Sequence, residues 1–329
     1  MTPRQRPRLS NDPGSLLGSA RQHDRVALAR LLSLVERGGP PALAVARMSY
    51  RSPVPYTVGL TGAPGAGKST LTDRLIAVAR GGWPDPDPAP VEQLGVLAID
   101  PTSPFSGGAI LGDRVRMQQH ALDATVFIRS MATRGHLGGL ALAVPDAVRL
   151  LGAAGLPLVL VETVGVGQME VEVASATDTT VVVVTPGWGD SMQANKAGLL
   201  EIADLFVINK ADRPGAREAR RDLEQMLDLS TNLGDWRPPI VETSATAGEG
   251  VEQLWAEIAR HRSYLRSSGL LERQRADRLG HELRRVLAAR VAARIEELAG
   301  GEEFARAVKA LAAGEVDPYE AADQLMPPA

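Results

Sequence analysis

The run of residues 62–70, Gly-Ala-Pro-Gly-Ala-Gly-Lys-Ser-Thr, constrains the fold of this 329-residue chain more than any other feature. It fits the pattern G-x-x-x-x-G-K-[ST] without a mismatch, between an apolar segment typical of a strand and a segment with helical spacing. Glycines in such a loop let backbone N–H groups point inward around phosphate oxygens, where a Cβ would intrude. The run therefore predicts a strand, a phosphate-binding loop and a helix in that order.

The lysines of the chain are few, and one of them closes this loop. Only four of the 36 basic residues are lysine, namely Lys68, Lys196, Lys210 and Lys309. We expect Lys68 to reach the β- and γ-phosphates of a nucleotide and the Ser69 hydroxyl to bind Mg²⁺. The alternative is a glycine-rich turn with an incidental lysine, but the strand and helix on either side favour the functional interpretation. The candidate phosphate-binding residues are Gly62, Ala63, Pro64, Gly65, Ala66, Gly67, Lys68, Ser69 and Thr70.

Apolar runs alternate with helical stretches through the centre of the chain, a pattern typical of a doubly wound, mostly parallel α/β sheet with helices on both faces. The predicted strands are Tyr56–Leu60, Val91–Ile99, Ala124–Ile128, Leu156–Val161, Thr179–Val184, Leu205–Ile208 and Pro239–Val241. The predicted helices are Lys68–Arg80, Val144–Ala153, Asn195–Ile202, Ala216–Leu229 and Val251–Tyr264. Residues 81–90, rich in glycine and proline, are predicted to form a surface loop.

The alternation of strands and helices is absent from the two ends of the chain, so the sequence predicts three regions. These are a disordered and helical arm over residues 1–52, a phosphate-loop domain over 53–265 and a helical extension over 266–329. In the arm, residues 1–14 are predicted to be disordered, and helical segments follow on either side of residues 38–41. In the extension, apolar side chains recur three or four residues apart from Leu279 to Leu298. Periodicity leaves two alternatives open for this stripe: packing against the chain's own domain, or the seam of a homodimer.

A second motif, Asn209–Asp212, follows an apolar strand, so we expect it at the carboxyl edge of the sheet, where such sheets bind ligands. The Asp212 carboxylate can accept two hydrogen bonds from guanine N1 and N2, which adenine cannot offer. Backbone donors after the next strand would lie near guanine O6. The candidate guanine-binding residues are Asn209, Lys210, Asp212, Ser244, Ala245 and Thr246. With the phosphate loop, they predict GTP rather than ATP as the substrate.

Three acidic residues are candidates for a magnesium site together with Ser69. Asp100 and Glu162 end apolar strands, and Asp113 lies in a glycine-rich loop. Mg²⁺ favours hard oxygen ligands, usually one or two carboxylates besides the phosphates. The alternative for each acid is a carboxylate that caps a strand or helix end. The sequence predicts Lys68, Glu162 and Lys196 as the catalytic residues.

The residue that would orient the attacking water is not evident. Val166 follows Gly165, where a Ras-like GTPase has glutamine. We therefore expect slow hydrolysis by the isolated chain, raised when a partner orders the site.

The composition excludes several classes of protein. A formal net charge of −3 gives no electrostatic reason to expect nucleic acid or an anionic membrane surface as a partner. The absence of cysteine removes disulfides, thiolate nucleophiles and cysteine-ligated zinc. No apolar run approaches the roughly 18 residues of a membrane span, so a cytoplasmic protein is predicted.

Together the motifs resemble one family, the methylmalonyl-CoA mutase-associated GTPases of the MeaB/ArgK type, within the SIMIBI class of P-loop GTPases. The segments that carry the resemblance are Gly62–Thr70, Asp100–Met117, Arg134–Gly139, Glu162–Gln168, Asn209–Asp212 and Gly314–Ala322. They occur in this order along the chain, and the long second segment is highly specific.

The resemblance implies a dimeric GTPase that binds GTP or GDP with Mg²⁺ and assists an adenosylcobalamin-dependent acyl-CoA mutase. Such proteins gate the loading of intact cofactor and help to remove damaged cofactor. By the match, Asp100, Asp113 and Glu162 serve the magnesium site, and Pro186–Lys196 is a mobile switch near the partner. Ser191, Met192 and Asn195 depart from the usual switch pattern, which leaves the identity of the mutase open.

Two other functions remain as alternatives. A GTPase metallochaperone that inserts nickel would need clusters of cysteine and histidine, which this chain does not have. An ATPase or kinase linked to amino-acid transport is disfavoured by the guanine-reading motif Asn209–Asp212.

Overall fold

The structure is a computed structural model that describes residues 12–84, 91–101, 120, 123–133, 139–163, 175–188, 196–230 and 234–326. At residues 100–101, 132–133, 139–142 and 196–197 the description is limited to the backbone. The chain divides into two compact units, Met1–Arg275 and Ala276–Ala329. Within the described ranges, none of the helices combines the length and apolar character needed to cross a membrane.

The first unit is built on one seven-stranded sheet. The strands are β1 Tyr56–Thr61, β2 Leu94–Pro101, β3 Val126–Thr133, β4 Leu158–Thr163, β5 Thr179–Val184, β6 Leu205–Asn209 and β7 Ile240–Thr243. Their spatial order is β3-β2-β4-β1-β5-β6-β7, and every pairing between neighbours is parallel. The predicted doubly wound sheet is confirmed, and β1 lies at its centre between β4 and β5, where the strand order switches direction.

Eleven helices are formed by the described residues. They are α1 Pro13–Arg21, α2 Arg25–Arg37, α3 Gly39–Ser49, α4 Lys68–Ala79, α5 Gly139–Ala153, α6 Lys196–Ile202, α7 Ala216–Leu229, α8 Val251–Ser267, α9 Leu270–Ala299, α10 Glu302–Ala313 and α11 Pro318–Leu325. Alternate strand residues face opposite layers, so Leu158 and Leu160 pack with α4 and α8, whereas Val159 and Val161 pack with α2 and α5. Burial on both faces explains the continuous apolar runs in the sequence.

The N-terminal arm differs from the prediction in its helix boundaries. α1 begins at Pro13, capped by Asp12, so the expected disorder does not extend to residue 14. α3 begins directly at Gly39, because prolines are compatible with the first turn of a helix, where the N–H groups have no intrahelical partner. The arm also packs into the main core, where Leu31 and Leu32 are fully buried.

Two further predictions were wrong in detail. β3 runs from Val126 to Thr133 instead of Ala124–Ile128, and Arg129 in its added part donates to Ser33 and Glu36 of α2. The predicted surface loop after α4 contains Trp83, which is buried and stacks on Trp255 of α8 with ring centroids 4.3 Å apart. In both cases a tertiary partner accounts for the difference.

The second unit consists of most of α9 with α10 and α11. Asp317 caps α11 in a capping box with Glu320. Ala321 is the only buried residue between 276 and 326. Along α9, an exposed apolar residue recurs at every fourth position: Leu279 40%, Leu283 60%, Leu287 51%, Val291 54% and Ile295 49%. A unit of this size with so little buried surface has almost no core of its own.

A polar network stabilises the amino edge of the sheet. The guanidinium of Arg275 donates to both carboxylate oxygens of Asp178, at 2.6 and 3.1 Å, and Asp178 also accepts from the Thr57 N–H. The Thr179 hydroxyl lies 2.9 Å from Nδ1 of His261, which is 2% exposed. Burial lowers the pKa of His261 from 6.5 to about 4, so its ring is neutral near pH 7.

This buried histidine predicts a loss of stability in mild acid. Below pH 6.5 the unfolded chain takes up a proton that folded His261 accepts only near pH 4, so the free energy of unfolding falls as the pH drops through this window. The expected contribution is about 3 kcal/mol. Urea unfolding of wild type and His261→Gln at pH 7, 5.5 and 4.5 measures it. Between pH 7 and 4.5 the free energy of unfolding should fall less for the variant than for wild type. An equal fall for both proteins would contradict a neutral buried ring.

Candidate functional site

The glycine-rich run wraps from the end of β1 into α4, as predicted. Gly62 has a φ of +136°, and a Cβ there would lie 2.1 Å from the Val183 carbonyl oxygen of β5. Gly67, with a φ of +89°, caps α4, and its Cβ would lie 2.4 Å from Nδ2 of Asn209. Each glycine is therefore required by a close backbone approach as well as by its φ. The loop occupies the carboxyl edge of the sheet beside the central strand.

The side chains of Lys68 and Lys210 contact the backbone of this loop. Lys68 is 6% exposed, and its Nζ donates to the carbonyl oxygens of Gly62 at 2.6 Å and Ala63 at 2.9 Å. Lys210 Nζ donates to the Gly65 carbonyl oxygen at 2.6 Å, and its φ of +61° is unusual for a residue with a side chain. Both ammonium groups therefore lie against carbonyl oxygens of the loop backbone.

Two oxygen-bearing side chains meet directly below the loop. The Ser69 hydroxyl, in the first turn of α4, donates to Oε1 of Glu162 in β4 at 2.5 Å. Both side chains are buried, with 6% and 2% of their surface exposed. The structure thus brings together two of the four predicted magnesium ligands, and both are hard oxygen donors of the kind that Mg²⁺ favours.

Asn209 links three parts of the site through one buried amide. Its Nδ2 donates to the Ala66 carbonyl oxygen at 2.8 Å, and its Oδ1 accepts from the Thr243 hydroxyl and the Ala245 N–H, each at 3.1 Å. The sequence predicted Asn209 as a guanine-binding residue and did not predict this linking role. Thr243, which the sequence placed just after a strand predicted to end at Val241, is instead the last residue of β7.

Asp212 and Ser244, both predicted as guanine-binding residues, contact each other after the adjacent strands β6 and β7. The buried Ser244 hydroxyl donates to Oδ1 of the exposed Asp212 carboxylate at 2.8 Å. The Ala211 N–H donates to the Thr243 carbonyl oxygen at 3.0 Å, so the segment after β6 is joined to β7. One side of the carboxylate is held in place, which suits an acid that must present acceptors in a defined direction.

Some predicted site residues lie partly or wholly outside the described residues. Asp113 and the segment from Val164 to Gln168 are among them. Asp100 is placed by its backbone alone, at the end of β2, where Ala98 is paired with Glu162. Lys196 is likewise placed by its backbone, as the first residue of α6. The roles of Asp100, Asp113 and Lys196 stay predictions.

Comparison with known proteins identifies relatives over most of the chain. The family model described as "Methylmalonyl Co-A mutase-associated GTPase MeaB" matches residues 28–299. A protein of Pyrococcus abyssi, provisionally named as a GTPase, is 47% identical over 318 residues, covering 94% of this chain and 95% of its own. The mouse protein "Methylmalonic aciduria type A homolog, mitochondrial" is 36% identical over 229 residues, covering 68% and 53%.

One solved structure is similar to this protein over most of the chain. The crystal structure of a protein named "LAO/AO transport system kinase" superposes with a TM-score of 0.67 at 28% identity, covering 95% of this chain and 96% of that one. The likeness therefore includes both the phosphate-loop sheet and the regions that flank it.

Proposed function

The chain belongs to the family of methylmalonyl Co-A mutase-associated GTPases described as MeaB, and on this premise we propose that it is a chaperone for an adenosylcobalamin-dependent acyl-CoA mutase. The observation that carries the proposal is the match of the family model over residues 28–299, which includes the whole phosphate-loop sheet. The name of the mouse relative refers to methylmalonic aciduria and supports the same class of partner. In this role GTP hydrolysis would gate cofactor loading and help to protect or reactivate the mutase.

The nucleotide would lie along the carboxyl edge of the sheet. The backbone of Gly62–Thr70 would hold the phosphates, with the Lys68 ammonium beside the β- and γ-phosphates. At the other end, Asp212 would accept from guanine N1 and N2, and the loop Ser244–Thr246 would donate to O6. Asn209 holds the two ends together through its bonds to Ala66 and Ala245.

Mg²⁺ would be held by Ser69 and Glu162, whose hard oxygens already lie 2.5 Å apart beside the phosphate loop. Asp100 and Asp113 remain the further predicted ligands. When bound, the ion would neutralise negative charge on the phosphate oxygens.

The chain's own contribution to hydrolysis is mainly positioning and charge. Phosphoryl transfer needs little covalent help from the protein, so a fixed Lys68 and preorganised backbone donors would supply most of the stabilisation. No glutamine follows Gly165 in the sequence to orient the attacking water. We therefore propose slow basal turnover that rises when the mutase orders the switch around Lys196. A cytoplasmic location stays a prediction from the sequence.

A transport-linked kinase is the second candidate, because the similar solved structure carries the name of such a kinase. An ATP-dependent kinase would gain nothing from the Asp212 carboxylate held by Ser244, since adenine offers no donor pair to it. A nickel-inserting GTPase is disfavoured because the chain contains no cysteine.

The proposed partner predicts a mutase-dependent GTPase rate. The mutase encoded by the same organism should raise GTP turnover by the wild type severalfold. Lys196→Ala should retain GTP affinity and basal turnover but lose most of this stimulation, because Lys196 would act only when the partner orders the switch. Lys309→Ala, which removes an exposed lysine on α10, is the matched control. A wild-type rate that no acyl-CoA mutase changes would refute the chaperone function, and equal stimulation of all variants would refute the role of Lys196.

We also propose that the exposed stripe of α9 forms a homodimer seam. Leu283 and Leu287 are one helical turn apart and more than half exposed, so replacing both with glutamate should place charge in the seam and yield a monomer. Light scattering of the full chain at micromolar concentration measures the change, with GTP binding retained. Ala289→Glu, on another face of α9, is the control and should leave the dimer intact. A wild type that is monomeric under these conditions would contradict the proposal.

A further inference from the structure

Arg74 connects the phosphate-loop helix to the loop after β7. It lies on α4, six residues after Lys68, and its Nε donates to the Ala245 carbonyl oxygen at 3.1 Å. Its Nη2 donates to the Thr246 carbonyl oxygen at 3.0 Å. The two contacts join parts of the chain that are more than 170 residues apart in sequence. None of the motifs in the sequence includes Arg74.

Because the peptide bond is planar, the contacts of Arg74 also fix the direction of the Thr246 N–H. In a trans peptide the C=O of one residue and the N–H of the next point in opposite directions. When Arg74 holds the Ala245 carbonyl toward α4, it directs the Thr246 N–H away from α4. On its other side, the Ala245 N–H donates to Oδ1 of Asn209 at 3.1 Å. The residue Ala245 is therefore held through both its N–H and its C=O.

The far end of the same loop is closed by the backbone alone. The Gly248 N–H donates to the Ser244 carbonyl oxygen at 2.8 Å, and the Ser244 N–H donates to the Glu249 carbonyl oxygen at 3.1 Å. The Ala245 and Thr246 carbonyls lie between these bonds and are contacted by one side chain of α4. A planar guanidinium can donate to two adjacent carbonyls at once, whereas the compact ammonium of lysine is not matched to both.

We propose that Arg74 is a positioning residue that sets the guanine O6 contact, by orienting the backbone of Ala245 and Thr246. The inference rests on the proposed placement of guanine against the loop Ser244–Thr246. Arg74 itself touches neither the base nor the phosphates. Its effect therefore falls on binding of the base, which is the same in the ground state and the transition state, so KM rises and kcat stays constant.

The test combines variants of Arg74 with a nucleotide that lacks O6. Dissociation constants of GDP and of the diphosphate of 2-aminopurine riboside are measured for wild type, Arg74→Met and Arg74→Lys. The analogue also lacks the N1 proton that Asp212 would accept, so the O6 contact is measured by the loss that each variant causes relative to wild type with the same nucleotide. Arg74→Met keeps much of the aliphatic stem and removes the fork of donors. We expect it to weaken GDP binding about five- to tenfold and the analogue by less than about twofold. Arg74→Lys should resemble Arg74→Met, and kcat at saturating GTP should stay within about twofold of wild type.

Arg80→Met is the matched control, because this arginine directly follows α4 and pairs with Asp123 instead. It should leave both dissociation constants unchanged, and melting temperatures without nucleotide should show that all variants are folded. If Arg74→Met weakens the binding of GDP and of the analogue equally, or if its preference for GDP over the analogue is as large as in wild type, the role of Arg74 is overturned. The placement of guanine is not affected by either result. A wild type that binds GDP and the analogue equally would instead overturn the placement of guanine at this loop, and the Arg74 inference with it.

Discussion

The hydrogen bonds of the Asn209 side chain are the interaction on which the rest of the site depends. One amide joins the phosphate loop at Ala66, the end of β7 at Thr243 and the loop that follows at Ala245. It fits because Gly67 has no Cβ, which would lie 2.4 Å from the amide nitrogen. The groups proposed for the phosphates and for the base are therefore held at a constant separation, and the site is largely preorganised for a nucleotide.

The candidate site and the ion pair that holds the start of α9 lie at opposite edges of the sheet. The carboxyl ends of β1, β4, β6 and β7 bring the candidate ligand-binding groups to one edge, as parallel strands require. At the opposite edge the partly exposed Arg275, near the start of α9, pairs with the buried Asp178, which precedes β5 and accepts from the Thr57 N–H of β1. Removing the Arg275 guanidinium would leave the buried Asp178 carboxylate without its charge partner in this pair and so destabilise the fold.

Much of this arrangement could be predicted from the sequence, because the strands are buried on both faces and the motifs follow directly from strand ends. The seven strands, the phosphate loop and the position of Asn209–Asp212 directly after β6 are examples. What the sequence did not reveal depends on partners distant in the chain. Trp83 is buried because it stacks on Trp255 of α8. The added part of β3 contains Arg129, which is paired with Glu36 of α2. The hydrogen bond from Arg74 to the Ala245 carbonyl oxygen likewise joins residues distant in sequence. The local sequence pattern carries no information on such contacts.

We propose that this chain selects guanine through Asp212 while the loop Gly62–Thr70 holds the phosphates. The most direct measurement is the binding of GDP, xanthosine diphosphate and ADP to wild type and Asp212→Asn. Wild type should prefer GDP over both other nucleotides by more than about a hundredfold, because a site built for a donor pair rejects bases without it. Asp212→Asn, whose amide can donate to the xanthine O2, should reverse the preference toward the xanthosine nucleotide. Equal binding of GDP and ADP by wild type, or a preference for GDP that Asp212→Asn leaves unchanged, would contradict the selection of guanine by Asp212.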